Sequence, residues 1–564
     1  MLRRIVLIGA TGFFGQRLAW RLSMIEGVEL TLTSRSEERA KALTQKLEGG
    51  ARCTPFAFDR NDPSSMARLR SLSPWLVIDA SGPFQFANYD LARAAVGFGA
   101  HWIDLADARD YLLNFGTALD ALARSRGVAA RAGASSTPAL SMAVVEDLTA
   151  GWQRVDSIDI AIMPGGGGDV GEAVIRAILS YCGTPVAVFE EGRQRKIAGW
   201  SRVRRTRIER LGTRYLSPVE TADAELMQRR FNVRSRVSFS AGLQSRIEQF
   251  GLIALAQLRQ RGVILKIESL APLLAKARRI TRLFSTDRGG MTVTCAGMDA
   301  NGRQIRARWL LIAGKGAGPD VPVLPAVALT RSLLLGGETT GAKIAGLPLA
   351  AIEAEMSPPS LTTSRTIQHA GPGCLVASAC GSSSYSRLPS AVRAFHDQDA
   401  PPVWTGKADI EATTSLAGRL VRAFAGLPGP ARDVDVTVTV DRCGGEEIWQ
   451  RNFAENRFTS RLRHERGNIV SERFGPFDIL LGLSAESCNV RMPVVGWRIG
   501  PVKLPLFLAP TSDTREFEGD DGRFHFDVRI GLPLVGLLAH YRGWLEPAKK
   551  NAAEPNLDEM SISA

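Results

Sequence analysis

Long apolar runs are missing from this chain of 564 residues. No stretch approaches about 18 uninterrupted apolar residues, so no spanning helix is expected. Ordered cysteine is missing too. Cys53, Cys182, Cys295, Cys374, Cys380, Cys443 and Cys488 are scattered, and none forms a Cys-x-x-Cys pair. Their odd number argues against a disulfide framework and fits a reducing, cytoplasmic setting. The histidines are His101, His369, His396, His464, His525 and His540, with no pair at ligand spacing and no cysteines beside them. No metal centre is expected. Apolar content of 45% and charged content of 23% are ordinary for a folded soluble protein. The length suggests roughly three or four domains.

Charge is less ordinary. A net charge of +13 points to nucleic acid, an anionic surface or phosphorylated ligands. Part of it lies between Glu191 and Arg214, where nine Lys/Arg (Arg193, Arg195, Lys196, Arg202, Arg204, Arg205, Arg207, Arg210, Arg214) face only Glu191 and Glu209. Further on, Leu270, Leu273, Leu274, Ala277 and Phe284 share a helical face, with Lys276, Arg278, Arg279 and Arg282 around it. Two readings of that helix stay open. Its stripe packs on its own domain, or it lies on an anionic membrane, each cation adding about 1 kcal/mol. The second would place a cytoplasmic protein peripherally on the inner face of the membrane. Neither stretch interleaves aromatics with base-reaching side chains, so nucleic acid is not an expected partner.

What the chain has is a glycine turn in the right context. The apolar run Ile5-Val6-Leu7-Ile8 leads into Gly9-Ala10-Thr11-Gly12-Phe13-Phe14-Gly15, and Leu18, Ala19, Leu22 and Ile25 follow at helical spacing. The run starts too soon before the glycines to be a signal peptide and reads as strand one. Strand, glycine turn and helix together predict dinucleotide binding. Gly9 permits the tight turn, Gly12 admits a pyrophosphate, and Gly15 lets the helix pack closely; the helix N-terminus faces the anion. The second strand, Val28 to Thr33, ends at Ser34-Arg35, where an NAD-binding chain usually carries an acid. Arg35, with Arg39 a turn later, suits a 2′-phosphate through bidentate, charge-assisted bonds. NADP(H) is expected rather than NAD(H).

Strand and helix alternate over residues 1–135: a helix at 37–47, a strand from Cys53 to Phe58 ending at Asp59, and an Asp62-Pro63 helix start. Trp75 to Ala80 is a fourth strand running into Ser81-Gly82-Pro83-Phe84, and His101 to Leu105 a fifth. This predicts an α/β fold with a Rossmann-type doubly wound parallel sheet. Residues 136–356 read as an α+β substrate or dimerisation domain, with a strand at 157–163, a run from Pro164 to Gly168 and two strands within 291–313. Residues 357–387, rich in Ser, Thr, Gly and Pro, read as a linker. Residues 388–547 read as a β-rich accessory domain, because Val434, Val436, Val438, Val440 and later Phe524, Phe526, Val528, Ile530 alternate with polar residues. Gly444-Gly445 and Asp520-Asp521-Gly522 are hairpin signals, and 548–564 a disordered tail.

Residues 1 to about 355 resemble the saccharopine dehydrogenase-like NADP-binding oxidoreductases. The resemblance rests on the glycine turn, Thr33-Ser34-Arg35, Asp79-Ala80-Ser81-Gly82-Pro83-Phe84, His101-Trp102-Ile103-Asp104-Leu105-Ala106-Asp107 and Gly133-Ala134-Ser135-Ser136-Thr137-Pro138. It implies a Rossmann domain, an α+β domain at the cofactor crevice, and a homodimer. From Leu388-Pro389 through Tyr541-Arg542-Gly543-Trp544-Leu545 the chain resembles a bacterial domain of unknown function fused behind such oxidoreductases. Short-chain dehydrogenases share the glycine turn but use a tyrosine with lysine four residues on. Tyr89, Tyr111, Tyr181, Tyr215, Tyr385 and Tyr541 have no such lysine.

Expected cofactor contacts are Gly9, Thr11, Gly12, Phe13, Phe14, Gly15, Ser34, Arg35, Asp59, Ala80, Ser81, Gly82 and Pro83. Ala80 to Gly82 would face the nicotinamide, since open α/β sheets bind ligands at strand carboxyl ends. Asp104, Asp107 and His101 are the candidate proton carriers: a carboxylate with a raised pKa, or an imidazole titrating near neutrality. The expected activity is NADP(H)-dependent hydride transfer to or from a small or lipid-like carbonyl, imine or enoyl substrate. The alternative is a non-catalytic NADP(H) sensor or scaffold whose C-terminal domain binds a partner.

Overall fold

In the computed structural model the description covers residues 2–548, apart from 86, 168–171, 191, 264–265, 282–284, 302, 357–358, 370–373, 398–399, 402, 414, 426, 444–445, 455, 476, 487, 501 and 534. Two compact units divide the chain: 1–295 with 307–367, and 296–306 with 368–564. The expected tail and the Gly444-Gly445 turn lie outside the described residues.

Strand β1 (Arg3–Ile8) carries the run Ile5 to Ile8, every residue of it buried. A central parallel strand is covered on both faces, which is why its sequence is continuously apolar rather than alternating. The chain continues through α1 (Gly15–Ser23), β2 (Val28–Ser34), α2 (Glu37–Thr44), β3 (Arg52–Ala57) and α3 (Ser65–Ser71). Then come β4 (Leu76–Asp79), α4 (Asp90–Gly97), β5 (His101–Asp104), α5 (Arg109–Ser125) and β6 (Ala129–Ala132). Ile5, Leu7, Leu76 and Ile78 enter one apolar core, whereas Val6, Ile8 and Val77 enter another on the opposite face. The period of two along each strand feeds both layers of helices. Asp62 starts a turn rather than α3: its carboxylate accepts from the backbone and hydroxyl of Ser64, and the helix begins at Ser65.

The next region holds α6 (Ser141–Leu148), β7 (Arg154–Met163), α7 (Glu172–Ser180), β8 (Pro185–Glu190), β9 (Arg193–Ala198), β10 (Arg204–Ile208) and β11 (Gly212–Pro218). It continues with α8 (Asp223–Phe231), β12 (Arg236–Ala241), α9 (Arg246–Gln260), α10 (Ala271–Thr281), β13 (Gly289–Met298) and β14 (Gln304–Ala313). After α11 (Leu324–Leu334), β15 (Gly341–Ile344) and α12 (Leu349–Glu353) comes β16 (Leu361–His369). A mixed sheet of nine strands runs β10-β11-β12-β7-β13-β14-β16, with β8 and β9 branching from β12. The expected linker therefore contains an edge strand, β16, which is mostly polar and of whose described side chains only Leu361 reaches the core.

Strand β15 leaves this region and returns to the first sheet. That sheet has seven strands in the order β15-β6-β5-β4-β1-β2-β3, and every pair is parallel. This is the doubly wound order with its crossover between β1 and β4. Arg131 of β6 is wholly buried and anchors the returning segment, through Glu338 Oε2 at 2.8 Å and the Gly341 carbonyl at 2.7 Å.

Helix α10 packs Ala271, Leu274 and Ala275 against Leu252 and Ala256 of α9, while Leu273 faces solvent. Arg278 pairs with Glu248 at 3.0 Å. Of the expected stripe Leu270 and Leu274 pack inside the domain, Leu273 and Ala277 are exposed, and Arg282 and Phe284 lie outside the described residues.

The second unit begins with α13 (Leu375–Cys380), α14 (Ser382–Tyr385) and α15 (Ser390–His396), then β17 (Val403–Ala412) and α16 (Leu416–Ala425). Strands β18 (Ala431–Cys443), β19 (Glu446–Phe453), β20 (Asn456–Arg466), β21 (Ile469–Phe474) and β22 (Phe477–Gly482) form a meander. It continues with β23 (Ser484–Glu486), β24 (Asn489–Arg491), β25 (Val494–Ile499), β26 (Val502–Lys503), β27 (Thr511–Glu518), β28 (Phe524–Leu532) and β29 (Gly536–Pro547). One sheet holds all thirteen, ordered β23-β24-β27-β28-β29-β17-β18-β19-β20-β21-β22-β25-β26. The two alternating runs read from sequence are β18 and β28, whose valines and phenylalanines enter a shared core. Asp520-Asp521-Gly522 makes the turn between β27 and β28, with Gly522 at φ +71°.

Candidate active site

The turn after β1 depends on its glycines for space. Gly9 has φ +75°, and a Cβ there would meet the Ser81 backbone at 2.8 Å. A Cβ on Gly15 would stand 2.0 Å from the Gly9 carbonyl, so α1 reaches the strand only because that position is glycine. Gly12 is exposed, and a Cβ on it would touch just the Gly9 carbonyl at 3.1 Å. Its backbone is open to an approaching group. No side chain caps α1 and no acid occupies its first turn. By contrast Ser36 caps α2, whose first turn holds Glu37 and Glu38. An uncapped N-terminus without carboxylates, behind an open glycine, suits a pyrophosphate. Phe13 and Phe14 are half-buried and set edge to face at 5.1 Å, with the Arg17 guanidinium 4.4 Å from the Phe13 ring.

The end of β2 lies beside this turn, and the hydroxyls of Thr11 and Ser34 are 2.9 Å apart. Arg35 and Arg39 are both exposed. The nearby carboxylates are engaged on α2: Glu37 pairs with Lys41 at 2.8 Å, and Glu38 accepts from Ser36 Oγ at 2.7 Å. Asp59 holds the turn after β3 by accepting from the Asn61 backbone at 3.0 Å.

At the carboxyl end of β4, Asp79 is fully buried and pairs with Arg60 at 3.2 Å. Arg60 also donates to Ser81 Oγ at 3.0 Å, and Asp79 accepts from the Ser81 backbone at 2.9 Å. This fixes Ala80 and Ser81, while Gly82 and Pro83 remain exposed at the rim. Arg60 has no motif around it and was not anticipated from sequence.

The three proposed proton carriers on and after β5 are separated by the structure. His101 starts the strand, at the edge away from the glycine turn, and its Nδ1 accepts from the Ala129 backbone at 3.0 Å. Burial, then the charges of Arg131 and Arg3, hold its imidazole below the usual value. Asp104 is wholly buried, and both oxygens are occupied. One oxygen accepts from Trp102 Nε1 at 2.9 Å and Tyr111 OH at 3.1 Å, the other from the backbones of Gly133 at 2.9 Å and Ala106 at 3.1 Å. Burial pushes its carboxyl up to about 6 against the pull of these donors. The arrangement ties β5 to Gly133, the start of the Gly133 to Pro138 motif. Asp107 alone is exposed at the carboxyl edge, and the surrounding protein raises its carboxyl above the usual range.

Around Asp107 gather groups that sequence reading missed. Gln85, in the loop after β4, donates Nε2 to the phenol of Tyr181 at 2.9 Å. Burial raises that phenol, with Asp107, Glu220 and Asp110 adding to the effect. Glu220 accepts from the Ala187 backbone at 3.1 Å and lies 3.8 Å from Arg109. Burial likewise raises its carboxyl. Arg109 also pairs with Glu225 and with Asp110, the latter at 2.9 Å. A tyrosine, two carboxyls and an arginine gathered at this edge can orient a polar substrate and move a proton.

Two family models match parts of the chain. Residues 5–141 match the family model "Saccharopine dehydrogenase NADP binding domain", and 388–545 match "Domain of unknown function (DUF4166)". No curated protein matches the chain. Among solved structures, apo saccharopine dehydrogenase (L-Glu forming) from Saccharomyces cerevisiae is 12% identical, covering 65% of this chain and 100% of its own, with a TM-score of 0.47. DAP dehydrogenase from C. glutamicum in complex with DAP is 11% identical over 61% and 92%, with a TM-score of 0.34. An engineered D-amino acid dehydrogenase bound to NADP+ is 12% identical over 64% and 97%, also at 0.34. The chain is thus similar to a saccharopine dehydrogenase-type NADP-binding domain over residues 5–141 and to DUF4166 over residues 388–545.

Proposed function

We propose that the chain is an NADP(H)-dependent oxidoreductase acting on a carbonyl, imine or conjugated alkene, small or lipid-like, at the carboxyl edge of the first sheet. The observation that carries this is the polar cluster of Gln85, Asp107, Tyr181 and Glu220, at the same sheet edge as an uncapped glycine turn. A sensor would need only the turn.

Gly9, Thr11, Gly12, Phe13, Phe14 and Gly15 would hold the pyrophosphate, and Ser34 with Arg35 the 2′-phosphate. Ala80 to Pro83 would border the nicotinamide, braced from behind by Asp79 and Arg60. When bound, the cofactor supplies or accepts the hydride; the protein positions the reactants and handles the proton. Asp107, exposed at the carboxyl edge and within electrostatic reach of Tyr181, is the group best placed to exchange a proton with the substrate oxygen or nitrogen. Tyr181, whose phenol accepts from Gln85 Nε2, keeps its own hydroxyl proton to offer to the substrate. Asp104 keeps the strand end in place through its four donors.

The test is a panel of carbonyl, imine and enoyl compounds scanned for NADPH consumption. Turnover with one class, lost in Asp107→Asn while NADPH still binds, is expected. Tight NADPH binding without turnover on any class would instead support the sensor.

A further inference from the structure

The thirteen-stranded sheet curls back on itself. Its order ends with β22-β25-β26 on one side and β23-β24-β27 on the other, yet those ends are consecutive in the chain. One residue separates β22 from β23, and two separate β24 from β25. The Gly482 backbone donates to the Pro493 carbonyl at 2.9 Å, and Met492 donates to the Thr514 carbonyl of β27 at 3.1 Å. The two ends are thereby held side by side, as in a barrel.

Inside is a cavity of about 450 Å³, within the range of about 300–1,000 Å³ usual for small-molecule sites. Val494 and Trp497 of β25 line it, and so do Ser512 and Thr514 of β27, so strands from both ends of the order share one interior. Phe395 of α15 also lines it and stacks on Phe524 at 4.1 Å. The wall is mostly aliphatic and aromatic. A dry apolar cavity binds apolar molecules, because its wall atoms lack dispersion partners and too few polar groups are present to hold water.

The polar groups on the wall narrow the ligand class. Arg451 pairs with Glu472 at 3.3 Å and donates to Ser460 Oγ at 2.8 Å. Glu516 is bonded to His396 Nε2 at 2.6 Å. Among the described residues every charge on the wall already has a partner, so neither a carboxylate nor an amine finds an unpaired counter-ion there. Ser512 and Thr514, whose hydroxyls are 2.8 Å apart, can still receive a hydroxyl or carbonyl.

A second feature lies next to the cavity. Val495, Ile499, Val502, Leu506, Phe507 and Leu508 are all exposed, Phe507 to 75%. Trp497, on the cavity wall, donates Nε1 to the Pro505 carbonyl at 2.9 Å and so joins this apolar lip to the interior. Contiguous apolar surface that folding leaves in water usually serves binding.

We propose that residues 388–545 bind a neutral, apolar small molecule with at most a hydroxyl or carbonyl at one end, admitted past the lip at Leu506 to Leu508. The proposal is independent of the oxidoreductase reading. Its test is titration of the full chain with the neutral fluorophore N-phenyl-1-naphthylamine, followed by competition. Saturable binding at one site is expected, unaffected by saturating NADPH. Ile530→Trp and Ile479→Trp fill the cavity from half-buried wall positions and are expected to weaken it at least tenfold with little change in melting temperature. 1-Hexadecanol is expected to displace the probe at least tenfold more effectively than palmitate. No saturable binding, displacement by NADPH, or wild-type affinity in both folded variants overturns the proposal. If neither variant folds, the competition decides: displacement by palmitate equal to that by the alcohol overturns the neutral class, and no displacement by either overturns the site.

Discussion

Gln85 and Tyr181 are 96 residues apart in sequence, and the amide of one donates to the phenol of the other at 2.9 Å. This single bond fastens the loop leaving β4 to the segment after α7, beside the sheet edge where a substrate would lie. A double-mutant cycle of Gln85→Ala and Tyr181→Phe is expected to show a coupling of about 0.5–1.5 kcal/mol in denaturant unfolding. Strict additivity would mean that the bond does not persist in solution.

Arg35 carries the choice of cofactor. Arg35→Asp removes a fork suited to a 2′-phosphate and places a carboxylate where a ribose 2′-hydroxyl would favour one. Fluorescence titration is expected to show NADPH affinity falling roughly 10- to 100-fold, the loss of about 1.4–2.8 kcal/mol, while NADH affinity holds or rises. An unchanged NADPH affinity would refute the assignment.

Gly15→Ala would place a methyl 2.0 Å from the Gly9 carbonyl. Since that neighbour is backbone, a destabilisation of at least ~1–3 kcal/mol is expected, together with lost dinucleotide binding. Gly97→Ala is the control, because a Cβ there meets nothing within 4 Å. In α4 it should leave stability unchanged or raise it by up to about 1 kcal/mol. Unfolding curves of the two variants that coincide would contradict the close approach of α1 to β1.

Asp223 gives a pH dependence of known sign. It is fully buried, and burial pushes its carboxyl up to about 6 against hydrogen bonds from Ser141 and Thr221. A folded value above the unfolded one means that the native state binds more protons between roughly pH 4 and 6. Its contribution to stability is therefore lost as pH rises through that window. Relative to wild type, Asp223→Asn should gain on the order of 3 kcal/mol between pH 4 and pH 8. A difference independent of pH would show that the carboxyl is not perturbed.

Local patterns carried the parts of the fold that sequence could reveal. Strand β1, the glycine turn and α1 are contiguous, and the alternation in β18 and β28 reports one buried face each. The edge strand β16 was hidden because its mostly polar residues look like a linker, and β15 because its partner β6 lies some 200 residues earlier. Within the site the glycines were legible, but Arg60, Gln85 and Tyr181 were not, since only folding brings them to the sheet edge. The placement of His101 follows from strand direction: the residue that opens a parallel strand stands at the end away from the ligand. Asp104 has the opposite lesson, for a residue at the correct end can still be wholly engaged by its neighbours.

The return of β15 to β6 has a consequence for biosynthesis. During translation the outer edge of β6, with the guanidinium of Arg131, is complete long before Glu338 and Gly341 have been made. At about 5–20 residues per second, that edge waits on the order of 10–40 s for its neighbour. The nascent chain therefore presents an unpaired strand edge and an unmatched cation throughout synthesis of the second region. A truncation at residue 135 would keep both permanently, and it should pull down chaperones and aggregate where a chain extended through Ile344 does not.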